Sequence, residues 1–141
     1  MGERVAIVVG AGGELGRATA EKLAAAGFTV VGTDRNEKGL RELPDGIGRE
    51  VADPVDPAAA RNVVDRIAAE VGPPEVLVNT IGTYHLGGAL TATQADLRLM
   101  IDVNVGSALW LTQAVVPYMR ERGSGSIVHV ASRPGLEPTP R

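Results

Sequence analysis

The chain has 141 residues, a net charge of −3 and no cysteine; that length suits a single domain, 1–141, burying roughly two-thirds of the surface its unfolded chain would expose. Without cysteine there are no disulfides, thiolate metal ligands or thiol nucleophiles, no metal site is expected, and the composition fits a reducing, cytoplasmic setting. Twelve arginines scattered among 17 acidic residues argue against a nucleic-acid partner, and neither a signal region nor a segment approaching a membrane span is expected.

In chain order, apolar runs and helical patterns alternate. Val5–Val9 reads as a strand, followed by the glycine-rich turn Gly10-Ala-Gly-Gly-Glu-Leu-Gly16 and an Ala-rich helix over residues 15–26. A second strand is expected over residues 29–33, a short helix over 37–43 and a third strand over 49–52. A helix follows over residues 57–71, with Asp56 as N-cap and Pro57 at its first position. A fourth strand is placed at residues 76–79, and a long helix within 93–122 opens on the capping-box pair Thr93 and Asp96. The fifth strand is expected over residues 127–131, and Gly27, Gly72 and Gly123 stand where helix C-termini favour left-handed backbone. Strands that are apolar throughout and joined by helices imply an α/β, doubly wound parallel sheet of the Rossmann type, with five strands ordered 3-2-1-4-5.

The glycine turn carries the first functional signal. A strand running straight into glycines lets the backbone approach a pyrophosphate without Cβ interference, while the next helix offers free N–H groups and a favourable dipole. A mononucleotide P-loop is excluded because Gly16 is followed by Arg17 and Ala18 rather than Lys-Ser/Thr, so the ligand indicated is a dinucleotide. Asp34, eighteen positions beyond Gly16, has the spacing of a carboxylate that meets the adenosine ribose. It favours NAD over NADP, because a 2′-phosphate would bring like charge into contact. The neighbouring Arg35 leaves NADP open, since a guanidinium can bind that phosphate bidentately. A purely structural alternative has Asp34 capping the short helix after it.

Five matches, in order along the whole chain, resemble the N-terminal portion of the short-chain dehydrogenase/reductase family. Gly10-x-x-Gly13-x-x-Gly16 resembles its glycine motif; Asp53, in Asp53-Pro-Val-Asp56, resembles the carboxylate placed against the adenine amino group; Asn79-Thr-Ile-Gly82 resembles an altered Asn-Asn-Ala-Gly. Asn104 and Ser132 align with the asparagine and serine of the family's Asn-Ser-Tyr-Lys tetrad. The resemblance implies a coenzyme site at Gly10, Gly12, Gly13, Leu15, Gly16, Asp34, Arg35, Asp53, Pro54, Asn79, Ile81 and Gly82. It implies hydride transfer between NAD(H) and a carbonyl or secondary alcohol, with Ser132 on the substrate oxygen and Asn104 ordering a relay water.

Departures from the family pattern are informative too. Val9 stands for the usual threonine and Glu14 for the middle glycine; Glu14 is expected to point away while the Leu15 N–H serves a phosphate. The family's tyrosine acts as a proton donor because a lysine one turn later lowers a phenol pKa that is otherwise about 10. Lysine occurs here only at 22 and 38, and nine residues follow Ser132. The expectation is therefore the coenzyme-binding portion of a longer enzyme, lacking the family's later strands and helices and close to inactive alone. The alternative is a catalytically silent nucleotide-binding or interaction module. Tyr118 and Arg122, four apart, read as a partly solvated helix pair, and His129 reads as structural. Tyr84 and His85 admit two readings, a proton shuttle bordering the substrate or incidental polar residues of a surface loop. The absent segments predict an unpaired edge on the fifth strand and exposure of Leu109, Trp110 and Val116, with self-association through the long helix around Asn104 to Met119.

Overall fold

In β1 (Val5–Val9) every residue is buried, and alternation sends its side chains into two separate cores. Val5, Ile7 and Val9 join one with Val63, Val64, Ile67, Leu77, Leu111 and Val115, whereas Ala6 and Val8 join the other with Ala20, Val30, Leu40 and Leu43. This is the signature of a central parallel strand covered by helices on both faces. The computed structural model describes residues 3–133 and 136–137.

Around β1 lie β2 (Thr29–Asp34), β3 (Gly48–Val51), β4 (Pro74–Asn79) and β5 (Ser126–His129), all pairing in parallel in the order β3-β2-β1-β4-β5. The order expected from sequence is the one observed. Both helical layers follow from the crossovers: α1 (Glu14–Ala25) and α2 (Glu37–Leu40) supply Ala20 and Leu40 to one face, and α3 (Pro57–Glu70) covers the other. Asp56 caps α3 by accepting from the Ala58 N–H at 3.1 Å, and Gly27, Gly72 and Gly123 all have positive φ. The short second helix stops at Leu40 rather than 43, although Leu43 still reaches the core.

The long helical region departs most from expectation. The Thr93–Asp96 capping box is present, but α4 (Gln94–Ile101) passes through a π turn (Asp102–Gly106) before continuing as α5 (Ser107–Arg122). By length and composition alone, the run Gln94–Arg122 could cross a membrane, which corrects the expectation that no segment approaches a span. In this fold α5 spends apolar residues on the core: Leu111, Ala114, Val115 and Met119 are buried with α3 and β4 residues. Leu109 is exposed as expected, but Trp110 and Val116 are only partly so, Trp110 because it packs on the same core. Leu97, Leu99, Ile101 and Val105 are also exposed. Among the described residues β5 pairs only with β4, leaving the anticipated free edge, where Val128 and Val130 are exposed.

Tyr118 and Arg122 do not pair with each other. The Tyr118 hydroxyl donates to Asp65 Oδ1 on α3 at 2.8 Å, and Arg122 reaches Glu75 Oε2 at 2.8 Å, because α3 and β4 each present a carboxylate to α5. The hydrogen bond to Asp65 is the main reason the Tyr118 phenol is held above its ordinary range.

Candidate functional site

At the carboxyl end of β1 the chain reverses through Gly10, whose φ of 81° is favourable for glycine. The N–H groups of Gly10 and Ala11 both donate to the Thr33 carbonyl, at 2.8 and 3.1 Å, tying the turn to β2. A Cβ on Gly10 would lie 2.6 Å from Thr80 Oγ1, and one on Gly16 would collide with the Gly10 carbonyl oxygen and stand 2.8 Å from Ala11 Cα. The turn is thus pressed between the loop after β4 and the first turn of α1. Thr80, one of the departures within Asn79-Thr-Ile-Gly82, fills that space and donates to the Val9 carbonyl at 2.8 Å.

The helix start that follows has no side-chain cap at Gly13. Arg17 supplies the first N–H to return to Gly13, at 2.9 Å, and the N–H groups of Glu14, Leu15 and Gly16 have no acceptor among the described residues. Three donors on the positive end of a twelve-residue helix are therefore left without a protein acceptor among the described residues, beside a tight glycine turn. Glu14 is exposed, and its side chain makes no hydrogen bond or ion pair among the described residues.

Asp34 closes the next side. Its Oδ2 accepts from the Gly12 N–H at 3.1 Å and its Oδ1 from the Asn36 N–H at 2.9 Å, so both oxygens are held while each keeps a lone pair for another donor. Asn36, not Asp34, caps α2, accepting from the Lys38 N–H at 3.1 Å. Gly12 is thereby committed to Asp34 through its N–H, and a Cβ there would press on Asp34 Oδ2 at 3.0 Å. Arg35 forms no hydrogen bond or ion pair among the described residues and stands beside Asp34 at the same opening.

These residues border a cleft of about 360 Å³ across the carboxyl ends of the strands. Of the residues expected from sequence, it brings together Gly10, Gly13, Asp34, Arg35, Asp53, Pro54, Ile81 and Gly82. Asp53 Oδ1 accepts from the Val55 N–H at 3.2 Å, an Asx turn that aims this corner of the loop before α3. Asn79 lies behind the wall, 3% exposed, with its Oδ1 on the Ile81 N–H at 3.1 Å, so it shapes the loop rather than lining the opening. Leu15 and Gly16 stand at the helix start outside the lining. Thr83, at the start of the 83–90 stretch expected to border the pocket, lines the cleft; Val55, Leu99 and Val103 line it without a sequence expectation, the i, i+4 spacing of Leu99 and Val103 being the available signal.

Asn104 lies in the π turn and clamps Thr83 from both sides, its Oδ1 accepting from the Thr83 N–H and its Nδ2 donating to the Thr83 carbonyl, each at 2.9 Å. Ser132 follows the carboxyl end of β5, is exposed and does not line the cleft. His129 Nε2 is 2.9 Å from Thr112 Oγ1 on α5, and partial desolvation pushes its pKa down. An open depression of about 380 Å³ beside α1, around Ala18, Lys22 and Val78, lacks such convergent polar groups.

Comparison with known proteins bears on this arrangement. Residues 4–141 match the family model described as short chain dehydrogenase. The chain is 35% identical over 147 residues to a short chain dehydrogenase of Pseudocercospora fijiensis, covering 97% of this chain and 47% of that one. It is 32% identical over 133 residues to the 3-oxoacyl-[acyl-carrier-protein] reductase FabG of Escherichia coli K12, covering 92% and 54%. Among solved structures, a short-chain dehydrogenase from Streptomyces avermitilis is similar with a TM-score of 0.85 and 37% identity, over 92% of this chain and 49% of that one. The chain thus spans about half the length of the curated relatives it matches.

Proposed function

The chain belongs to the short-chain dehydrogenase/reductase family of oxidoreductases, and from that premise we propose that it forms the coenzyme-binding portion of an NAD(H)-dependent enzyme moving hydride between nicotinamide and a small-molecule carbonyl or secondary alcohol. The cradle suits a dinucleotide: a turn with no room for Cβ atoms at Gly10 and Gly16, free N–H groups at Glu14 to Gly16, and a fixed carboxylate one strand away. In this reading those N–H groups hold the pyrophosphate, Asp34 takes the ribose hydroxyls, and Asp53 with Pro54 and Ile81 encloses the adenine. The bound coenzyme supplies the hydride chemistry. Asn104 orients the relay side by fixing Thr83, and Ser132 donates to the substrate oxygen.

The observation that carries the choice of coenzyme is Asp34 held by the Gly12 and Asn36 N–H groups at the mouth of the cleft. A 2′-phosphate there meets a carboxylate that cannot swing aside, and free Arg35 offsets only part of that repulsion. NADH is therefore expected to bind the chain at least roughly tenfold more tightly than NADPH, about 1.4 kcal/mol. Parallel fluorescence titrations test this; equal affinities, or a preference for NADPH, contradict it. Neither tyrosine of these residues precedes a lysine at the family's spacing, Tyr84 and Tyr118 being followed four positions on by Gly88 and Arg122. The alternative reading is a silent nucleotide-binding module. Carbonyl reduction by a form extended through a Tyr-Lys segment favours the enzyme, and failure of that form to turn over favours the module. A cytoplasmic location and self-association through the long helix around Asn104 to Met119 complete the proposal.

A further inference from the structure

The segment after Gly82 lines the cleft at Thr83 and continues outside the lining. Its neighbouring apolar side chains do not anchor it: Tyr84 is 76% and Leu86 85% exposed. Thr83 lines the cleft and is fixed by Asn104. Two residues on, His85 Nδ1 lies 3.3 Å from Asp96 Oδ1. Asp96 is not a mobile partner, since its Oδ2 accepts from both the N–H and the hydroxyl of Thr93, at 2.8 and 2.6 Å, in the capping box of α4. Its other oxygen is thereby presented to the ring. On the ring's far edge stands Gly87, where a Cβ would collide with His85 Nε2. The imidazole is folded between a fixed carboxylate and a residue with no side chain.

We propose that His85 is a positioning residue: paired with Asp96, it clasps residues 83–87 to α4, which contributes Leu99 to the lining of the cleft, and so sets how the segment leaves the cleft beyond Thr83. The clasp itself stands on the geometry of His85, Asp96 and Gly87, while its importance for coenzyme rests on the reading given under the proposed function. Asn104 fixes Thr83 at the start of the segment, and the His85–Asp96 contact is a further fixed point that sets its direction from there.

Amide hydrogen exchange of residues 83–88 in the 141-residue chain tests the proposal with His85→Ala, Asp96→Asn, the double variant and Gly87→Ala. Asp96→Asn keeps an acceptor for the Thr93 cap and removes the charge facing the ring. A partly solvated pair of this kind predicts exchange faster by roughly two- to fivefold in each single variant, with no further change in the double. NADH should bind each variant more weakly by up to the same factor, since only the clasped fraction is competent. Unchanged exchange in His85→Ala, or multiplicative effects in the double variant, overturns the clasp. Faster exchange with unaltered NADH affinity overturns the positioning role. Failure of the unsubstituted chain to bind NADH overturns the coenzyme reading instead, and the exchange data still decide the clasp.

Discussion

Adding one methyl group at successive glycines of the turn should give a graded response that the packing dictates. At Gly13, with φ −90° and ψ 169°, an alanine is allowed, and its Cβ meets only the Gly10 carbonyl oxygen at 3.5 Å, an ordinary contact. Stability should stay within about 0.5 kcal/mol of the original chain. At Gly12 the added atom lies 3.0 Å from Asp34 Oδ2 and 3.2 Å from Gly39 Cα, so the carboxylate must shift, at a cost of about 1 kcal/mol. At Gly16 the obstacles are backbone: the Gly10 carbonyl, 2.6 Å from its carbon, and Ala11 Cα at 2.8 Å. Helix propensity returns about 1 kcal/mol there, but the turn must open at a cost of about 3 kcal/mol, a net loss of about 2 kcal/mol. Urea unfolding followed by far-UV circular dichroism measures the series, with NADH titration alongside. Gly16→Ala should also lose coenzyme binding, because opening the turn moves the N–H groups of α1 away from it. Equal stabilities for Gly13→Ala and Gly16→Ala would refute the packing argument.

Tyr118→Phe removes the hydrogen bond to Asp65 and should cost about 1 kcal/mol in urea unfolding while leaving NADH affinity unchanged, since this contact ties α5 to α3 away from the cleft. Because the folded Tyr118 pKa lies above its ordinary 10.0, its contribution is present below that pH and is lost as pH rises through the folded value; Tyr118→Phe should remove this alkaline component. His129 has the opposite sign. Its folded pKa is lowered from 6.5 by burial, so its contribution is full above 6.5 and is lost as pH falls through the folded value. The stability difference between about pH 8 and pH 5.5 should shrink in His129→Asn, and an unchanged difference would remove His129 from the account.

Much of this fold is legible because local signals agree. The five apolar runs, the Asp56 and Thr93 caps and the positive-φ glycines each mark a boundary by a short-range rule, and the coverage of both sheet faces shows in β1, which has no polar residue. The π turn at Asp102–Gly106 was hidden, since its sequence Asp-Val-Asn-Val-Gly has no proline to announce a break and continues an ordinary helical pattern. Tyr118 and Arg122 depart from their spacing for a related reason. Spacing on one helix suggested that they meet, but Asp65 and Glu75, distant in sequence, offer carboxylates to each separately. At the site, glycine spacing and Asp34 were readable from the chain. What could not be read was that Asp34 would be fixed by Gly12, because the bond joins residues 22 positions apart.

The central claim is that the first turn of α1 receives the linked phosphates of a nicotinamide coenzyme. Amide resonances report this directly: in a 15N-labelled sample titrated with NADH, the N–H signals of Glu14, Leu15 and Gly16 should move downfield together and saturate with a single affinity, as donors without an acceptor gain one. Signals that stay in place at saturating NADH, in a chain whose spectrum shows it folded, would contradict the account.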